Sequence, residues 1–265
     1  TTGLSTKTIN GGDVKNTGLE VALNWNDNVG GLKYSLGGNI AYNKNEVGNI
    51  PTGDGIIHGK SNILYANSTE FYRAENGHAI GYFWGWKTDG IFQNEAEVQS
   101  YKNSKGIVIQ PNAVPGDVRY VDIDGNGAIG NSDKVDLGHP TPDYTFGLNL
   151  SLEYKNFDFS VNANGVAGNK IVQSYRNVVD SKQNYTKAIL SRWHGEGTSN
   201  TMPRVTETNV NWQFSDLYIQ NGDFLRISNI TLGYDFSKLI NCKYISQFRL
   251  YGQVQNAFTF TKYDG

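Results

Sequence analysis

Six segments of this 265-residue chain alternate between apolar and polar residues with a period of two, and this pattern limits the possible folds more than any other feature. The segments are 18–25, 32–42, 144–154, 157–165, 228–236 and 248–258. Between 144 and 154, for example, Phe146, Leu148 and Leu150 alternate with Gly147 and Asn149. Because successive side chains of a strand point to opposite faces, the pattern predicts six β-strands, each with one apolar and one polar face.

The composition also favours strands that are joined by turns. The chain has 31 glycines, 31 asparagines and only 6 prolines, and its aromatic residues make up 12% of the total. Aromatic residues are enriched in strands, whereas Gly and Asn are enriched in turns. No run approaches ~18 consecutive apolar residues, which excludes a transmembrane helix. A membrane barrel stays possible, because only every second residue of a barrel strand faces lipid.

The lengths of the connections between the strands favour a membrane barrel over a soluble sandwich. They run short (26–31), long (43–143), short (155–156), long (166–221) and medium (237–247). In an up-and-down barrel, alternate connections lie at the same end, so both long ones share a rim, as in outer-membrane barrels. We therefore predict an all-β fold, a partial antiparallel transmembrane β-barrel with long extracellular loops. All 265 residues are predicted to be a portion of one barrel domain.

Two other classes of protein stay open at this point. A β-sandwich also alternates, with its apolar faces turned toward a shared core, and would give a secreted or surface glycan-binding protein. A passive porin would differ by lacking a plug. Six strands cannot close a wide barrel, and the chain lacks an initial Met and ends just after a strand-like run. We therefore expect the chain to be an internal portion of a longer one.

The twelve residues 122–133 follow the spacing of a calcium-binding loop. Such a loop needs oxygen ligands at positions 1, 3 and 5, a backbone carbonyl at position 7, a glycine at position 6 and a carboxylate at position 12. Gly127 occupies the glycine position. The predicted Ca²⁺ ligands are Asp122, Asp124, Asn126, the carbonyl of Ala128, and Asp133. The alternative is an Asx-rich turn that binds no metal.

The first long connection is predicted to be ordered and rich in aromatic residues. Asn94 and Glu97 stand in the positions of a capping box and predict a short helix through about residue 101. Four aromatic side chains are candidates for contact with a solute or a partner, because aromatic faces stack on sugar rings. They are Tyr82, Trp84, Trp86 and Phe92. The alternative is that they form the core of the connection itself.

Other chemistries find no support in the sequence. The net charge of −2 leaves no electrostatic footprint for nucleic acid. The single cysteine, Cys242, excludes an internal disulfide, and the 4 histidines share no metal-ligand spacing. No nucleophile elbow, Walker motif or dinucleotide-binding motif occurs, so we expect no enzymatic activity.

Five ordered runs of residues resemble motifs of the SusC/RagA-type TonB-dependent outer-membrane transporters, in the C-terminal part of their β-barrel. The runs are 16–20 (NTGLE), 81–93 (GYFWGWKTDGIFQ), 115–122 (PGDVRYVD), 192–200 (RWHGEGTSN) and 223–234 (DFLRISNITLGY). Trp84 and Trp86 depart from the tyrosines that such proteins often carry at these positions.

This resemblance implies a barrel in the cell outer membrane, in contact with outer-membrane lipid, whose long loops face the exterior. It further implies an N-terminal plug, energy supplied through TonB by an N-terminal region absent from this sequence, and a SusD-like surface lipoprotein as partner. Such a pair imports oligosaccharides or peptides.

Overall fold

The computed structural model describes residues 10–64, 68–173, 186–206, 209–237, 239–240 and 244–263. In these residues the strands, in chain order, are β1 (Asp13–Val29), β2 (Leu32–Gly48), β3 (Ile56–His58), β4 (Tyr72–Glu75), β5 (Tyr82–Trp86), β6 (Thr88–Ile91), β7 (Val118–Tyr120), β8 (Lys134–Asp136), β9 (Tyr144–Tyr154), β10 (Phe157–Ala167), β11 (Lys170–Val172), β12 (Ile219–Asn221), β13 (Phe224–Asp235) and β14 (Arg249–Thr261). The one α-helix among them, α1, spans Glu95–Ser100. Short 3₁₀ turns lie at Asn131–Asp133, Lys187–Ser191, Asn209–Asn211 and Asp216–Tyr218.

The six long strands form one sheet in the order β1-β2-β9-β10-β13-β14, so each strand lies beside its neighbour in the chain among these six. The registers of β2 with β9, β9 with β10, β10 with β13 and β13 with β14 are all antiparallel. The sheet is open within the described residues, because β1 and β14 each have a single neighbour. The predicted all-β fold with a partial antiparallel barrel is confirmed.

Each predicted strand segment overlaps one strand of this sheet, although the bounds differ. β1 and β2 each have 17 residues and extend well beyond the predicted 18–25 and 32–42. The two tight turns are Gly30-Gly31, with φ of 58° and 87°, and Lys155-Asn156, with φ of 56° at Lys155. Left-handed backbone in a two-residue turn matches the twist of the flanking strands. The assignment of the whole chain to one barrel domain stays a prediction.

The alternation of the sequence becomes a sheet with one apolar face. One row of paired residues crosses this face from β2 to β14. It consists of Leu36, Leu150, Val161, Ile230 and Val254. Elsewhere on this face Leu148, Leu232 and Leu250 are 53%, 56% and 63% exposed. A sandwich would bury these side chains between two sheets. Their exposure contradicts the sandwich.

The two long connections fold together into a compact unit of their own, which includes residues 46–139 and 171–220. It contains the four-stranded sheet β3-β4-β5-β8 and the pair β6-β7. Its main apolar core joins Leu64 and Phe83 from the first connection to Met202, Trp212, Phe214 and Tyr218 from the second. The unit is therefore a folded module with its own core.

The short helix α1 begins where the capping residues predict. The Glu97 backbone N–H donates to Asn94 Oδ1 at 3.0 Å, and Glu97 Oε2 accepts from the Gln93 backbone N–H at 2.8 Å. These bonds satisfy backbone donors that have no partner within the helix. In the described part of the chain, no helix combines the length and the hydrophobicity that a membrane span requires.

Candidate functional site

The exposed apolar face of the six-stranded sheet is bordered by aromatic rings at both ends. Near the two-residue turns, Phe157 and Tyr234 pack edge to face with their ring centroids 4.6 Å apart. At the opposite end, Tyr42 and Tyr144 are register partners with centroids 5.1 Å apart. Leucine, isoleucine and valine occupy most of the rows between them. An apolar band between two aromatic girdles is the surface that an outer-membrane barrel presents to lipid.

The opposite face of the same sheet is polar, and its charged residues near the turns are paired. Lys33 Nζ lies 3.6 Å from Glu153 Oε2, and these residues are also register partners. Arg249 Nε donates to Asp158 Oδ1 at 2.8 Å, and its Nη2 bonds to the other carboxylate oxygen. This end of the polar face therefore carries ions of both signs that pair with one another.

The predicted calcium loop brings three carboxylates together. One ligand oxygen from each of Asp122, Asp124 and Asp133 lies within 4.8 Å of the others. Gly127 adopts a φ of 91°, and a Cβ atom there would lie 2.7 Å from Asn103 Nδ2. The glycine therefore permits both the left-handed turn and the close approach of Asn103. This cluster of hard oxygen donors fits a calcium ion.

Hydrogen bonds within the loop orient its carboxylates. Asp133 is fully buried and accepts from the backbone N–H groups of Ile123 at 2.8 Å and Gly130 at 2.7 Å. The pKa of Asp124 is lowered, chiefly by a hydrogen bond from the Ser132 side chain and also by one from the Asn126 backbone N–H. Asn126 uses Nδ2 to donate to Asp124 at 2.8 Å. Ligation of a metal by Asn126 and by the Ala128 carbonyl stays a prediction.

The four aromatic candidates for solute or partner contact divide into two pairs. Tyr82 and Phe92 are 0% exposed. The Tyr82 hydroxyl donates to Glu75, and the Phe92 ring packs against Tyr101. Burial removes the rings of Tyr82 and Phe92 from the surface, so these two side chains belong to the interior of the module. Trp84 and Trp86 are half-buried, and contact through them stays a prediction.

Both tryptophans carry a cation on one ring face, a feature that the sequence pattern did not reveal. Arg73 Cζ lies 4.1 Å from the Trp84 ring centroid, and Lys134 Nζ lies 4.2 Å from that of Trp86. Lys134 is only 6% exposed, and its burial lowers the pKa of its ammonium group. No sequence signal marks these pairs, because the partners lie on different strands and a lone lysine is typical of a surface.

A second titratable cluster surrounds Glu70 in the same module. Glu70 Oε2 lies 2.9 Å from His58 Nδ1, and Glu70 also pairs with Arg73. Asp54 Oδ2 lies 3.4 Å from the other ring nitrogen of His58. The hydrogen bond to Glu70 is the main reason that the pKa of His58 is raised. Burial by itself would raise the pKa of Glu70, but bonds from His58 and Arg73 outweigh it and lower that pKa.

Two comparisons with known proteins agree with this architecture. The chain is 29% identical over 269 residues to "TonB-dependent receptor P3" of Formosa agariphila. The aligned region covers 99% of this chain and 26% of that protein. It is also 29% identical over 267 residues to "TonB-dependent receptor SusC" of Bacteroides thetaiotaomicron. That alignment covers 97% of this chain and 24% of the relative. The chain thus spans about a quarter of the length of these curated relatives. No protein-family model matches it.

Solved structures show the same fold. A structure described as the RagAB peptide transporter aligns with a TM-score of 0.72 and 21% identity, over 96% of this chain and 26% of that one. A second, described as the RagAB peptide importer in an open-open state, aligns with a TM-score of 0.70 and 19% identity over the same share of each chain. Over almost its whole length, the chain is therefore similar to one portion of the SusC- and RagA-type TonB-dependent receptors, as its sequence motifs predict.

Proposed function

We propose that this chain is a portion of a SusC-like, TonB-dependent importer of oligosaccharides or peptides in the cell outer membrane. The observation that carries the proposal is the open six-stranded sheet, with an exposed apolar band on one face and paired ions on the other. Similarity to TonB-dependent receptors along nearly the whole chain supports the same conclusion. Those relatives are named as receptors, and none of these names describes an enzyme.

In this proposal the two faces of the sheet have different roles. The apolar face with its aromatic girdles contacts outer-membrane lipid, because hydrocarbon accepts these side chains and excludes charged ones. The polar face lines the interior of the barrel, where water and solute solvate Lys33, Glu153, Asp158 and Arg249. The long connections face the exterior. Their folded core gives them a defined surface for a SusD-like lipoprotein, while TonB engages a region of the protein outside this chain.

Uptake measurements test the importer directly. Cells with the intact receptor should accumulate an oligosaccharide or peptide that supports their growth, and loss of either the receptor or TonB should abolish this uptake. Uptake that continues without TonB would contradict the proposal. For the lipoprotein, deletion of residues 43–143 should abolish co-purification of the lid while the barrel stays inserted in the membrane. Co-purification that survives the deletion would exclude this connection as the contact.

We also propose that the loop 122–133 binds Ca²⁺ and orders one part of the module. The observation in favour is the meeting of Asp122, Asp124 and Asp133, whose like charges repel one another unless a cation or hydrogen bonds compensate them. Calcium should therefore increase local order and leave the strand content unchanged, because the strand ladder is far larger than one loop. The short Asp133 in place of the usual Glu predicts weaker binding than in a calcium sensor.

Terbium provides a test of this loop, since it substitutes for calcium and is sensitised by a nearby indole. The Trp86 Nε1–H donates to the Gly130 carbonyl within the loop at 2.8 Å. We expect sensitised terbium luminescence that calcium displaces and that Asp124→Ala abolishes. Asp54→Ala, which removes an exposed carboxylate elsewhere in the module, is the matched control. Luminescence that is unchanged in Asp124→Ala, or absent in the wild type, would contradict metal binding by this loop. The loop would then be an Asx-rich turn that binds no metal.

A further inference from the structure

The loop 122–133 contains an asparagine followed directly by a glycine, the pair Asn126-Gly127. In such a pair the backbone nitrogen of the glycine can attack the side-chain amide carbon of the asparagine, because no Cβ atom shields that nitrogen. The described residues also contain an Asn-Gly pair at 10–11, 76–77, 164–165 and 221–222. The pair in the loop differs in the groups that surround its reacting atoms.

The nitrogen that would attack faces a carboxylate. The Gly127 N–H donates to Asp122 Oδ2 at 2.9 Å. The other oxygen of Asp122, Oδ1, accepts from the Gly125 N–H at 2.9 Å and so holds the carboxylate in this orientation. A carboxylate within hydrogen-bond reach of a proton can remove it as a general base. Asp122 is therefore placed to take the proton of Gly127 as the nitrogen attacks.

The amide that would be attacked is held at both of its ends. Asn126 Oδ1 accepts from the Ala128 backbone N–H at 2.8 Å, and Asn126 Nδ2 donates to Asp124 Oδ2 at 2.8 Å. A backbone N–H on a carbonyl oxygen stabilises the negative charge that develops on this oxygen when a nucleophile adds to the carbon. The bond to Asp124 keeps the amide from rotating away. The loop thus supplies both a base for the nucleophile and a donor for the oxyanion.

The glycine nitrogens of three other Asn-Gly pairs have different surroundings. The Gly77 N–H donates to the Val47 carbonyl at 2.9 Å, and the Gly222 N–H donates to the Asn169 carbonyl at 2.9 Å. A backbone carbonyl accepts a hydrogen bond but takes up no proton at neutral pH. The pair 164–165 lies in β10, where pairing with β9 and β13 holds the backbone extended. These three pairs therefore serve as internal references for the pair in the loop.

We infer that Asn126-Gly127 is a self-modification site, at which Asp122 promotes the deamidation of Asn126. The Gly127 nitrogen forms a bond to Asn126 Cγ, and its proton passes to Asp122. The bond between Cγ and Nδ2 then breaks, and the amide nitrogen leaves as ammonia with the proton that Asp122 returns. Water, the only other reactant, opens the resulting succinimide ring at either carbonyl. The product at position 126 is an aspartate or an isoaspartate.

Both products change the chemistry of the loop. An aspartate adds a carboxylate to the three that already meet there, those of Asp122, Asp124 and Asp133. An isoaspartate inserts one extra carbon into the main chain between residues 126 and 127, which moves the Gly127 and Ala128 N–H groups away from their present acceptors. The loop therefore changes its chemical form with time. Because the reaction uses only groups of the loop and water, it depends neither on bound calcium nor on import.

Peptide mass spectrometry of the intact, detergent-solubilised receptor tests this inference. The receptor is incubated at neutral pH with EDTA, so that no calcium engages the carboxylates of the loop. We expect Asn126 to deamidate at least about tenfold faster than Asn76 or Asn221, because a general base faces the attacking nitrogen of Gly127. In the unfolded receptor the three asparagines should react at similar rates, since each is then followed by a glycine without a fixed partner.

A matched pair of variants separates the base from the shape of the loop. Asp122→Asn keeps an acceptor for the Gly125 N–H but removes the base, and should slow deamidation of Asn126 by about tenfold or more. Asp124→Ser removes the same charge, keeps an oxygen acceptor beside Asn126, and should change the rate by less than about threefold. Equal rates in the two variants would overturn the inference.

The reference sites give a second way to overturn it. A folded wild-type receptor in which Asn126 deamidates no faster than Asn76 and Asn221 would show that the loop does not promote the reaction. Fast deamidation of Asn126 in a receptor that binds no terbium would support the inference and refute the calcium proposal alone.

Discussion

Arg204 Nε donates to Asp117 Oδ1 at 2.7 Å and thereby joins the second long connection to the first. The same oxygen accepts from Asn211 Nδ2 at 2.9 Å, and Asp117 Oδ2 accepts from the Val114 backbone N–H at 3.0 Å. Asp117 is only 5% exposed. One buried carboxylate thus holds three segments of the module together.

Removal of this carboxylate should loosen the module. We expect Asp117→Ala to destabilise it by about 2–4 kcal/mol, because the buried Asn211 amide and the Arg204 guanidinium both lose their acceptor. Asp117→Asn keeps an acceptor oxygen and should cost about 1 kcal/mol. Hydrogen exchange of residues 113–120 and 209–212 measures the difference. Equal exchange in wild type and Asp117→Ala would show that the carboxylate does not hold these segments.

Charges placed on the two faces of β9 should have opposite outcomes. Leu150→Lys puts an ammonium group on the apolar face, which in a membrane barrel costs about 2–4 kcal/mol near the midplane. Ser151→Lys, one residue later, points to the polar face and should be tolerated. The amount of folded, heat-modifiable receptor in outer membranes measures both. Equal loss in the two variants would contradict the assignment of the faces to lipid and interior.

The His58 cluster should make one edge of the module sensitive to pH. Glu70 and Asp54 raise the pKa of His58. The protonated imidazole therefore stabilises the folded module fully below the ordinary histidine pKa of about 6.5. This stabilisation is lost as the pH rises through the raised pKa. Arg73, the other charged group near His58, opposes its protonation. Hydrogen exchange of residues 52–60, corrected for the intrinsic rate, should therefore be faster at about pH 8.5 than at about pH 6. His58→Gln should lose this dependence, and a wild type without it would refute the prediction.

The two buried cations should respond differently to the same substitution. Arg73→Met leaves the mostly buried Glu70 without its arginine and should destabilise the module by about 3 kcal/mol. Lys134→Met removes a buried ammonium that forms no hydrogen bond or ion pair within the described residues, and should change stability by less than about 1 kcal/mol, since relief of burial offsets the lost contact with Trp86. The protease resistance of the module measures the stability of both variants. A larger loss of stability in Lys134→Met than in Arg73→Met would contradict the prediction.

The sheet could be predicted from the sequence because each strand carries its own signal. Alternation in 144–154 and 157–165 identified β9 and β10 almost to the residue. β1 was predicted too short, because the polar residues Asp13 and Lys15 precede the alternating segment 18–25 and the polar Asn26 follows it. These residues carry no alternation of their own and are extended because they belong to a strand that pairs with β2.

The interior of the module was beyond sequence reasoning for a different physical reason. Strands β3, β4, β5 and β8 have only 3–5 residues each, which is too short for a period to be recognised. Burial of Tyr82 and Phe92 depends on contacts between segments far apart in the chain. The calcium spacing was visible because all its carboxylates lie within twelve residues.

The open sheet has a practical consequence for anyone producing this chain alone. β1 and β14, of 17 and 13 residues, each have one free edge within the described residues. In water such edges are templates for strand addition by other molecules, and in lipid their unsatisfied backbone groups cost several kcal/mol each. Expressed by itself, the chain should aggregate edge to edge, and further strands paired to β1 and β14 would suppress this aggregation by covering both edges.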